Sequence, residues 1–407
     1  MVCTYKGYSL FLCMRFHALG LQHTITSKEY NACAYTQKVV KFCKMMVARG
    51  HTVIHYGHEK SNLVCSEHVT VITSDIYDKV YNYNWKKEFF KFDAADEVHQ
   101  TFNRNAIAEI HKRKEPNDFL LAFWGYGHHD ICMAHQDLIC VEPGIGYSPG
   151  SSFCKWRIYE SYALMHASTP DLCKTSWYHA VIPNYFDAEE FEYAPEKKED
   201  YFLFIGRIID DKGVGMAIDV TKRLGARLIV AGQGGPENLG LREWPEHVTH
   251  IGYADVETRK KLMSRAKAAF VLTQYVEPFG GVSIEHLMSG TPIITTDWGA
   301  FAENNVHGVT GYRCRTFDHM MWAAQNIDKI SPKACREWAM DNFSLEKVTT
   351  MYEEFFQMVY DVYTGQGWYQ SHPERKNLDW LSRKYPAPTS DEPKDGSVSN
   401  PFTVAEA

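Results

Sequence analysis

The fold of this protein is decided by residues 201–235, which read YFLFIGRIIDDKGVGMAIDVTKRLGARLIVAGQGG. The apolar run from Tyr201 to Gly206 predicts a buried strand, and the spacing of apolar residues from Val214 to Leu224 predicts an amphipathic helix. Arg227 to Ala231 is a second apolar run, and it ends in Gly232-Gln233-Gly234-Gly235. A strand, a helix and a strand in this order predict a right-handed βαβ unit on a parallel sheet.

The same alternation of strands and helices continues on both sides of this stretch, in two blocks. We therefore predict an α/β protein with two doubly wound parallel-sheet (Rossmann-like) domains that face each other across a cleft. The further predicted strands are Met14 to Gly20, His51 to Tyr56, Phe119 to Trp124, Asp137 to Val141, Val248 to Ile251, Ala269 to Thr273 and Ile293 to Thr296. The further predicted helices are Ala34 to Ala48, Val256 to Ala266, Gly281 to Met288 and Leu345 to Tyr363.

The boundary between the blocks is marked by a change in composition. After Val181-Ile182-Pro183-Asn184 the chain becomes charged and poor in strand signals from Asp187 to Asp200, as expected of a solvated linker. The predicted units are an N-terminal domain at 1–184 (1–13 being either an extension or the approach to the first strand), a C-terminal domain at 185–344, a helix at 345–370 that packs back toward the N-terminal domain, and a tail at 371–407 whose last part is disordered.

Composition excludes several classes of protein. The 407 residues carry a formal net charge of −7, so the chain has no basic excess with which to hold nucleic acid. No apolar run approaches the ~18–20 residues that span a bilayer, although a peripheral membrane contact stays open. The 11 cysteines are odd in number and none forms a Cys-x-x-Cys pair, which favours reduced thiols and a cytoplasmic protein. The oligomeric state is not predicted.

Two cations flank the turn after the first strand of the C-terminal block. Gly206-Arg207 ends that strand, and Lys212-Gly213 opens the helix that follows it. Backbone N–H groups and the positive end of a helix dipole meet both cations here, which favours an anion, and two charges suit a diphosphate. An ordinary surface arginine and lysine beside a turn is the alternative.

A second motif, Glu277-Pro278-Phe279-Gly280-Gly281-Val282-Ser283-Ile284-Glu285, follows the strand that ends at Thr273. Its two glycines let the backbone approach a ligand and leave helix-start N–H groups free. Glu277 lies in the loop and Glu285 about one turn into the helix, so we expect them to touch different parts of one ligand. Carboxylates accept hydrogen bonds from vicinal hydroxyls, which suits a ribose or a sugar ring.

Together with the turn Gly308-Val309-Thr310-Gly311-Tyr312, these motifs resemble glycosyltransferase family 4, the retaining sugar-nucleotide transferases of GT-B fold. The resemblance covers about Val181 to Tyr363 and is mostly architectural before that. It implies a donor that is a nucleotide-diphosphate sugar, a UDP- or GDP-sugar, and no cofactor or metal. It implies that Arg207 and Lys212 neutralise the diphosphate and that Glu285 binds the ribose. Glu277 is then expected to hold the hydroxyls of the donor sugar, and Gly252 and Tyr253 to contact the base. The remaining residues implied to lie beside the donor are Gly206, Phe279, Gly280, Gly281 and Val282.

The N-terminal domain is expected from the same resemblance to bind the acceptor, a saccharide or glycoconjugate. The loop of the family that comes close to the donor phosphates corresponds to Gly20-Leu21-Gln22-His23-Thr24, which lacks the usual paired glycines. A histidine after a first-domain strand often touches the donor sugar in the family, which makes His128 or His129 the candidate here, with an ordinary polar or core histidine as the alternative. The strand-end loop from Glu142 to Tyr147 either lines the acceptor pocket or is a plain turn.

The implied reaction is transfer of a hexosyl group with retention of its anomeric configuration, by a front-face route in which the leaving phosphate takes the acceptor proton. A sugar-nucleotide epimerase or a phosphorylase of the same fold stays an alternative, as does a sugar-nucleotide-binding protein without turnover. A nicotinamide dehydrogenase is set aside, because it would need Gly-x-Gly-x-x-Gly after a first strand, and Gly232 to Gly235 match it only in part.

Overall fold

The computed structural model describes residues 2–5, 8–148, 150–169 and 178–365. It begins with an antiparallel hairpin of β1 (Val2–Tyr5) and β2 (Tyr8–Leu12). The predicted extension at 1–13 contains this hairpin, which the sequence did not indicate. The predicted tail at 371–407 lies outside the described residues.

The N-terminal domain is built on one parallel sheet of seven strands. They are β3 (Arg15–Leu19), β4 (Thr52–His58), β5 (Glu67–Ile72), β6 (Phe119–Leu121), β7 (Ile139–Ile145), β8 (Trp156–Tyr159) and β9 (Ala180–Val181). Their order across the sheet is β5-β4-β3-β6-β7-β8-β9. The order reverses beside β3, so the carboxyl ends of β3 and β6 form a topological switch point.

Among the described residues of this domain, five α-helices accompany the sheet: α1 (Ala34–Ala48), α2 (Ser74–Val80), α3 (Glu97–Arg113), α4 (His129–Ala134) and α5 (Tyr162–Ala167). In α1 the residues Val39, Phe42 and Met46 recur at helical spacing and are buried, which docks the helix on the sheet. The helix ends before Gly50, whose φ of +88° is a left-handed conformation that favours glycine. The start of α1 is left facing the other domain.

The C-terminal domain is built on a parallel sheet of six strands. They are β10 (Phe202–Ile205), β11 (Leu228–Ala231), β12 (Val248–His250), β13 (Ala268–Val271), β14 (Ile293–Thr296) and β15 (Gly311–Cys314). Their order is β12-β11-β10-β13-β14-β15, so the switch point lies between β10 and β13. The helices are α6 (Val214–Leu224), α7 (Val256–Arg265), α8 (Gly281–Met288), α9 (Phe301–Asn304), α10 (Phe317–Gln325) and α11 (Pro332–Phe343).

The last described helix, α12 (Leu345–Tyr363), crosses back to the N-terminal sheet. The Phe356 ring is fully buried, with its centroid 4.8 Å from that of Phe16 and 5.0 Å from that of Phe119. The Tyr352 hydroxyl donates to the carbonyl of Pro143. Removing a buried phenylalanine ring costs about 3–5 kcal/mol, so this helix contributes to the N-terminal core.

The predicted fold class, two parallel-sheet α/β domains, is confirmed. Individual elements need correction. The predicted strand Phe119 to Trp124 ends at Leu121, because the chain turns into a 3-10 helix at Gly125–His128. The predicted turn at 308–312 is wrong in part, since Gly311 opens the edge strand β15. None of the helices described here is long and apolar enough to cross a membrane.

Candidate functional site

A cleft of about 320 Å³ lies between the two domains, at the carboxyl ends of β10, β11 and β13. One side, the N-terminal wall, is formed by the start of α1 and by the segment that leaves β9. The opposite side, the C-terminal wall, is formed by strand-end loops and by the start of α8. The polar residues of the N-terminal wall are Asn31, Gln37, Lys38, Lys41 and Asn184, and those of the C-terminal wall are Arg207, Lys212, Gln233, Tyr253, Arg259, Thr273, Glu277 and Glu285.

The structure brings most of the residues that the sequence singled out to this cleft. Phe279 lies behind the surface, 1% exposed, and Gly252 is the residue before Tyr253. The predicted residues that line the cleft are Gly206, Arg207, Lys212, Tyr253, Glu277, Gly280, Gly281, Val282 and Glu285.

Arg207 and Lys212 are positioned by the turn between β10 and α6. A 3-10 turn at Asp210–Lys212 leads into Gly213, whose φ is +74°. A Cβ atom at Gly213 would overlap the carbonyl of Leu272, so the close approach of this turn to β13 requires glycine. No side chain caps the start of α6. Its first N–H groups are therefore left for a ligand or for water.

Glu277 and the start of α8 face that turn. Lys212 Nζ donates to Glu277 Oε2 over 2.6 Å and lies 4.7 Å from the centroid of the Tyr275 ring. Gly280, with a φ of +75°, is the N-cap residue of α8 and supplies no side-chain cap, and a Cβ atom there would overlap the Phe301 ring. The nine-residue motif thus combines a carboxylate, a close backbone approach and free helix-start N–H groups in one place.

Glu285 lies on the second turn of α8, where its carboxylate pairs with the Arg259 guanidinium of α7. The Arg259 side chain is 18% exposed and the Glu285 side chain is 20% exposed. The arginine holds the carboxylate in position, and both residues line the cleft. Arg259 was not predicted, because α7 has several cations and nothing in its sequence distinguishes this one.

The charges that line the cleft are paired, with one exception. Arg207 has no carboxylate partner among the residues that the structure describes, and its guanidinium carbon lies 5.8 Å from the centroid of the Phe89 ring. An unpaired guanidinium beside two uncapped helix starts is an arrangement that attracts an anion. The paired cations are Lys38 with Glu160, Lys41 with Glu190, Lys212 with Glu277 and Arg259 with Glu285.

The end of the cleft beside Tyr253 is closed by contacts between the two domains. The Tyr253 hydroxyl donates to Asn31 Oδ1, and its ring lies 5.5 Å from that of Trp85, edge to face. Gln233 Nε2 donates to the carbonyl of Trp85, and over 2.9 Å to that of Glu88. The loop between α2 and α3 therefore reaches across to the C-terminal wall, which the sequence did not indicate.

Three predicted residues of the N-terminal domain, Gly20, His128 and His129, are not brought to the cleft. His128 is fully buried: its Nδ1 accepts from the Trp124 N–H over 3.2 Å, and its Nε2 donates to the Gly20 carbonyl over 3.0 Å. Burial lowers the pKa of His128 to about 3. His129 stacks on the Tyr126 ring, with centroids 5.2 Å apart. In this conformation both nitrogens of His128 have partners within the domain, so its predicted contact with a donor sugar would need a rearrangement.

The predicted strand-end loop from Glu142 to Tyr147 is mostly strand, because β7 runs to Ile145, and none of its residues lines the cleft. Glu142 points inward, is fully buried, and accepts from the backbone N–H groups of Phe153 and Cys154 over 3.0 and 2.9 Å. Burial raises the pKa of Glu142. The Gly144 carbonyl instead accepts from Lys38 Nζ over 3.0 Å. Among the described residues, no three His, Cys, Asp or Glu side chains are grouped so that they could hold a metal ion.

Comparison with known proteins matches the C-terminal half. Residues 186–334 match the family model of glycosyl transferases group 1. The glycogen synthase of Mycobacterium tuberculosis is 32% identical over 151 residues, which are 34% of this chain and 36% of that protein. The D-inositol 3-phosphate glycosyltransferase of Nocardiopsis dassonvillei is 30% identical over 188 residues, 39% of this chain and 43% of that protein. The chain therefore matches less than half the length of these curated relatives.

Solved structures resemble nearly the whole described chain. Sucrose-phosphate synthase from Thermosynechococcus elongatus has a TM-score of 0.65 at 14% identity, covering 86% of this chain and 100% of that one. Anabaena HepE, solved in complex with UDP and glucose, has a TM-score of 0.60 at 14% identity, and the match covers 84% of this chain and 98% of that one. Such identities show a shared fold alone. The GT-B architecture is thereby confirmed, and the family model confirms the predicted resemblance for the segment that it covers.

Proposed function

We propose that this protein is a retaining hexosyltransferase that moves a sugar from a nucleotide-diphosphate sugar, a UDP- or GDP-sugar, to a hydroxyl of a saccharide or glycoconjugate. The observation that carries the proposal is the unpaired Arg207, which lines a cleft whose other described cations are paired. The nucleotides and sugars bound by structural relatives, such as UDP and glucose in Anabaena HepE, support this choice of donor.

In this proposal the donor lies along the C-terminal wall. Arg207 and Lys212 hold the diphosphate, together with the uncapped N–H groups at the starts of α6 and α8. Glu285, held by Arg259, accepts from the ribose hydroxyls, and Glu277 accepts from the hydroxyls of the sugar. Gly252 and Tyr253 stand at the end of the cleft where the base is proposed to bind.

The proposed chemistry follows a front-face route. The acceptor oxygen forms a bond to the anomeric carbon as the bond from that carbon to the phosphate oxygen breaks, and the acceptor proton passes to the leaving phosphate. Arg207 and Lys212 stabilise the negative charge that develops on this phosphate. Glu277 acts as a positioning group. No resident metal is required, because cations and backbone N–H groups neutralise the phosphates.

The proposed setting and domain roles follow from the sequence. The odd number of cysteines without a Cys-x-x-Cys pair supports a cytoplasmic location. The N-terminal domain at 1–184 is proposed to bind the acceptor and the domain at 185–344 to bind the donor. Closure of the two domains over the cleft would then exclude water from the reaction.

A thermal-shift panel of UDP, GDP, ADP and dTDP tests the donor site. The matching nucleotide should raise the melting temperature, since a ligand at 100 times its dissociation constant adds about 2.7 kcal/mol to the stability. Arg207→Ala should abolish this shift, whereas Arg242→Ala, a change at an exposed arginine that does not line the cleft, should keep it. If no nucleotide stabilises the wild-type protein, the proposed function is wrong.

A further inference from the structure

The N-terminal wall carries a buried ion pair that the proposed donor site does not use. Lys38, on the second turn of α1, pairs with Glu160, which follows β8, and each side chain is 6% exposed. Asn184 Nδ2 donates to the second carboxylate oxygen of Glu160 over 2.9 Å. Lys38 Nζ also donates to the Gly144 carbonyl over 3.0 Å. Glu160 therefore holds a lysine and an amide side by side at the surface of the cleft.

The backbone around this pair leaves room for it. A Cβ atom at Gly146 would overlap the Glu160 carboxylate, so a larger residue there would displace it. Burying two charges costs several kcal/mol per ion, and their attraction repays this only with good geometry, so such a pair adds little stability. A pair of this kind at the surface of an open cleft is better explained by a ligand than by folding.

The pair lies across the cleft from the nine-residue motif. Asn184 stands two residues before Phe186, whose ring stacks on that of Phe279 with centroids 6.2 Å apart. The Phe186 ring also lies 3.6 Å from where a Cβ atom of Gly281 would be. On the other side, Lys38 Nζ lies 4.1 Å from the centroid of the Tyr35 ring. Burial raises the pKa of Tyr35, and the Glu277 carboxylate adds to this rise, which indicates that Tyr35 is within its electrostatic reach.

The difference in charge between the two walls separates two kinds of ligand. Arg207 is uncompensated among the described residues and suits a phosphate. Burial lowers the pKa of Lys38, while the Glu160 carboxylate beside it favours the ammonium form. The pair is neutral overall, so this part of the wall suits an uncharged hydroxyl. The Lys38 ammonium group can donate a hydrogen bond to a hydroxyl oxygen, and the Asn184 side-chain carbonyl can accept a hydrogen bond from the hydroxyl before its proton passes to the leaving phosphate.

Resting on the proposed function, we propose that Lys38 and Asn184 form the subsite for the attacking hydroxyl of an alcohol-bearing acceptor such as a saccharide. Both residues line the cleft that Glu277 also lines. Glu160 is a positioning residue, because it acts by holding these two groups. In the absence of an acceptor, a water molecule occupies the same subsite and slowly hydrolyses the donor.

Donor hydrolysis tests the subsite without knowledge of the acceptor. The probes are UDP-glucose, GDP-mannose, ADP-glucose and dTDP-glucose, each followed by release of its nucleotide. The double variant Lys38→Met/Glu160→Gln removes both charges and keeps the shape of both side chains. We expect its hydrolytic kcat to fall roughly tenfold or more, the effect of losing a hydrogen bond to a charged group. The KM for the donor and the thermal shift with nucleotide should change less than about twofold.

The matched control is Lys44→Met/Asp187→Asn, which neutralises another lysine–carboxylate pair of α1 that does not line the cleft. It should hydrolyse the donor as the wild type does. If Lys38→Met/Glu160→Gln does not fold, Asn184→Ala replaces it, with an expected loss of about fivefold in kcat at unchanged donor KM.

The two proposals fail in different ways. A variant that hydrolyses as fast as the wild type, or whose loss of rate comes with an equal rise in donor KM, overturns the subsite alone. A wild-type protein that neither binds nor hydrolyses any of the four donors overturns the proposed function, and the subsite with it.

Discussion

The two walls of the cleft are built in different ways. On the C-terminal wall, the polar side chains sit in strand-end loops and helix starts that are close in sequence, as Arg207 is to Lys212 and Glu277 to Glu285. On the N-terminal wall, Lys38 lies within a helix and its partner Glu160 is 122 residues away along the chain. The C-terminal wall is built from short sequence motifs, whereas the N-terminal wall is assembled from residues that only the folded domain brings together.

The difference has a chemical counterpart. The described part of the C-terminal wall presents one cation, Arg207, without a carboxylate partner, beside two helix starts without side-chain caps. The lysines of the N-terminal wall, Lys38 and Lys41, are each balanced by a glutamate. The C-terminal wall therefore carries an unbalanced positive charge, whereas the charges of the N-terminal wall are balanced. Such a cleft can orient a molecule that is anionic at one end and neutral at the other.

The largest effect on catalysis is expected from substitutions on the C-terminal wall. Arg207→Ala and Lys212→Ala should each lower kcat by about 10²–10³, the usual result of losing one preorganised donor to a developing negative charge. The rate of nucleotide release from the donor is the measurement. Lys222→Ala, a change at an exposed lysine in the last turn of α6, is the control and should leave kcat unchanged. A loss of only a few fold at both Arg207 and Lys212 would contradict their proposed role.

The same contrast explains how much could be predicted from the sequence. The helices α6, α8 and α12 begin and end where their patterns predicted, because glycines flank α6 and α8 and the Ser344 side chain caps the start of α12. Arg207 and Glu277 could be found for the same reason, since each follows a strand that a short apolar run identifies. These are properties of fewer than ten consecutive residues.

The N-terminal wall gave no comparable signal. Lys38, Lys41 and Phe42 share one face of α1, and the structure shows that this face is buried in spite of its two lysines. Glu160 and Gly146 become meaningful only when β7 and β8 bring them beside α1. His128 shows the opposite case: a histidine after a strand fits a family pattern, and in this conformation the 3-10 helix that follows β6 turns its ring into the core.

A smaller effect, on the KM for the donor, is expected at the end of the C-terminal wall where the ribose is proposed to bind. Glu285→Gln should raise the donor KM about tenfold with little change in kcat, because a charged acceptor of hydrogen bonds is lost. Arg259→Met should raise it by only a few fold, because this residue acts through Glu285. Steady-state kinetics at varied donor concentration separate the two parameters. Lys261→Met, at an exposed position of the same helix, is the control. An equal fall in kcat and rise in KM at Glu285 would instead indicate a role in the reacting state.

The smallest effect per residue is the loss of folding stability at acidic pH, and this loss should differ between the two domains. Burial lowers the pKa to about 3 for His23, His55 and His128 of the N-terminal domain, and to about 4 for His286 of the C-terminal domain. Below about pH 6.5 the unfolded chain binds a proton at each of these positions while the folded chain does not, so stability falls as the pH drops from about 6.5 toward 3.

At pH 5.5 each of these histidines should cost about 1 kcal/mol of stability, so the N-terminal domain should lose more than the C-terminal domain. Hydrogen exchange resolved by peptide, corrected for the intrinsic rate at pH 7.0 and 5.5, measures the two sheets separately. His128→Gln should remove about one such contribution from β3 and β6 and leave β10 and β13 as they were, because the amide can still accept and donate but does not titrate. Equal acid sensitivity of both sheets would mean that water reaches the N-terminal histidines in the folded protein, which would contradict their burial.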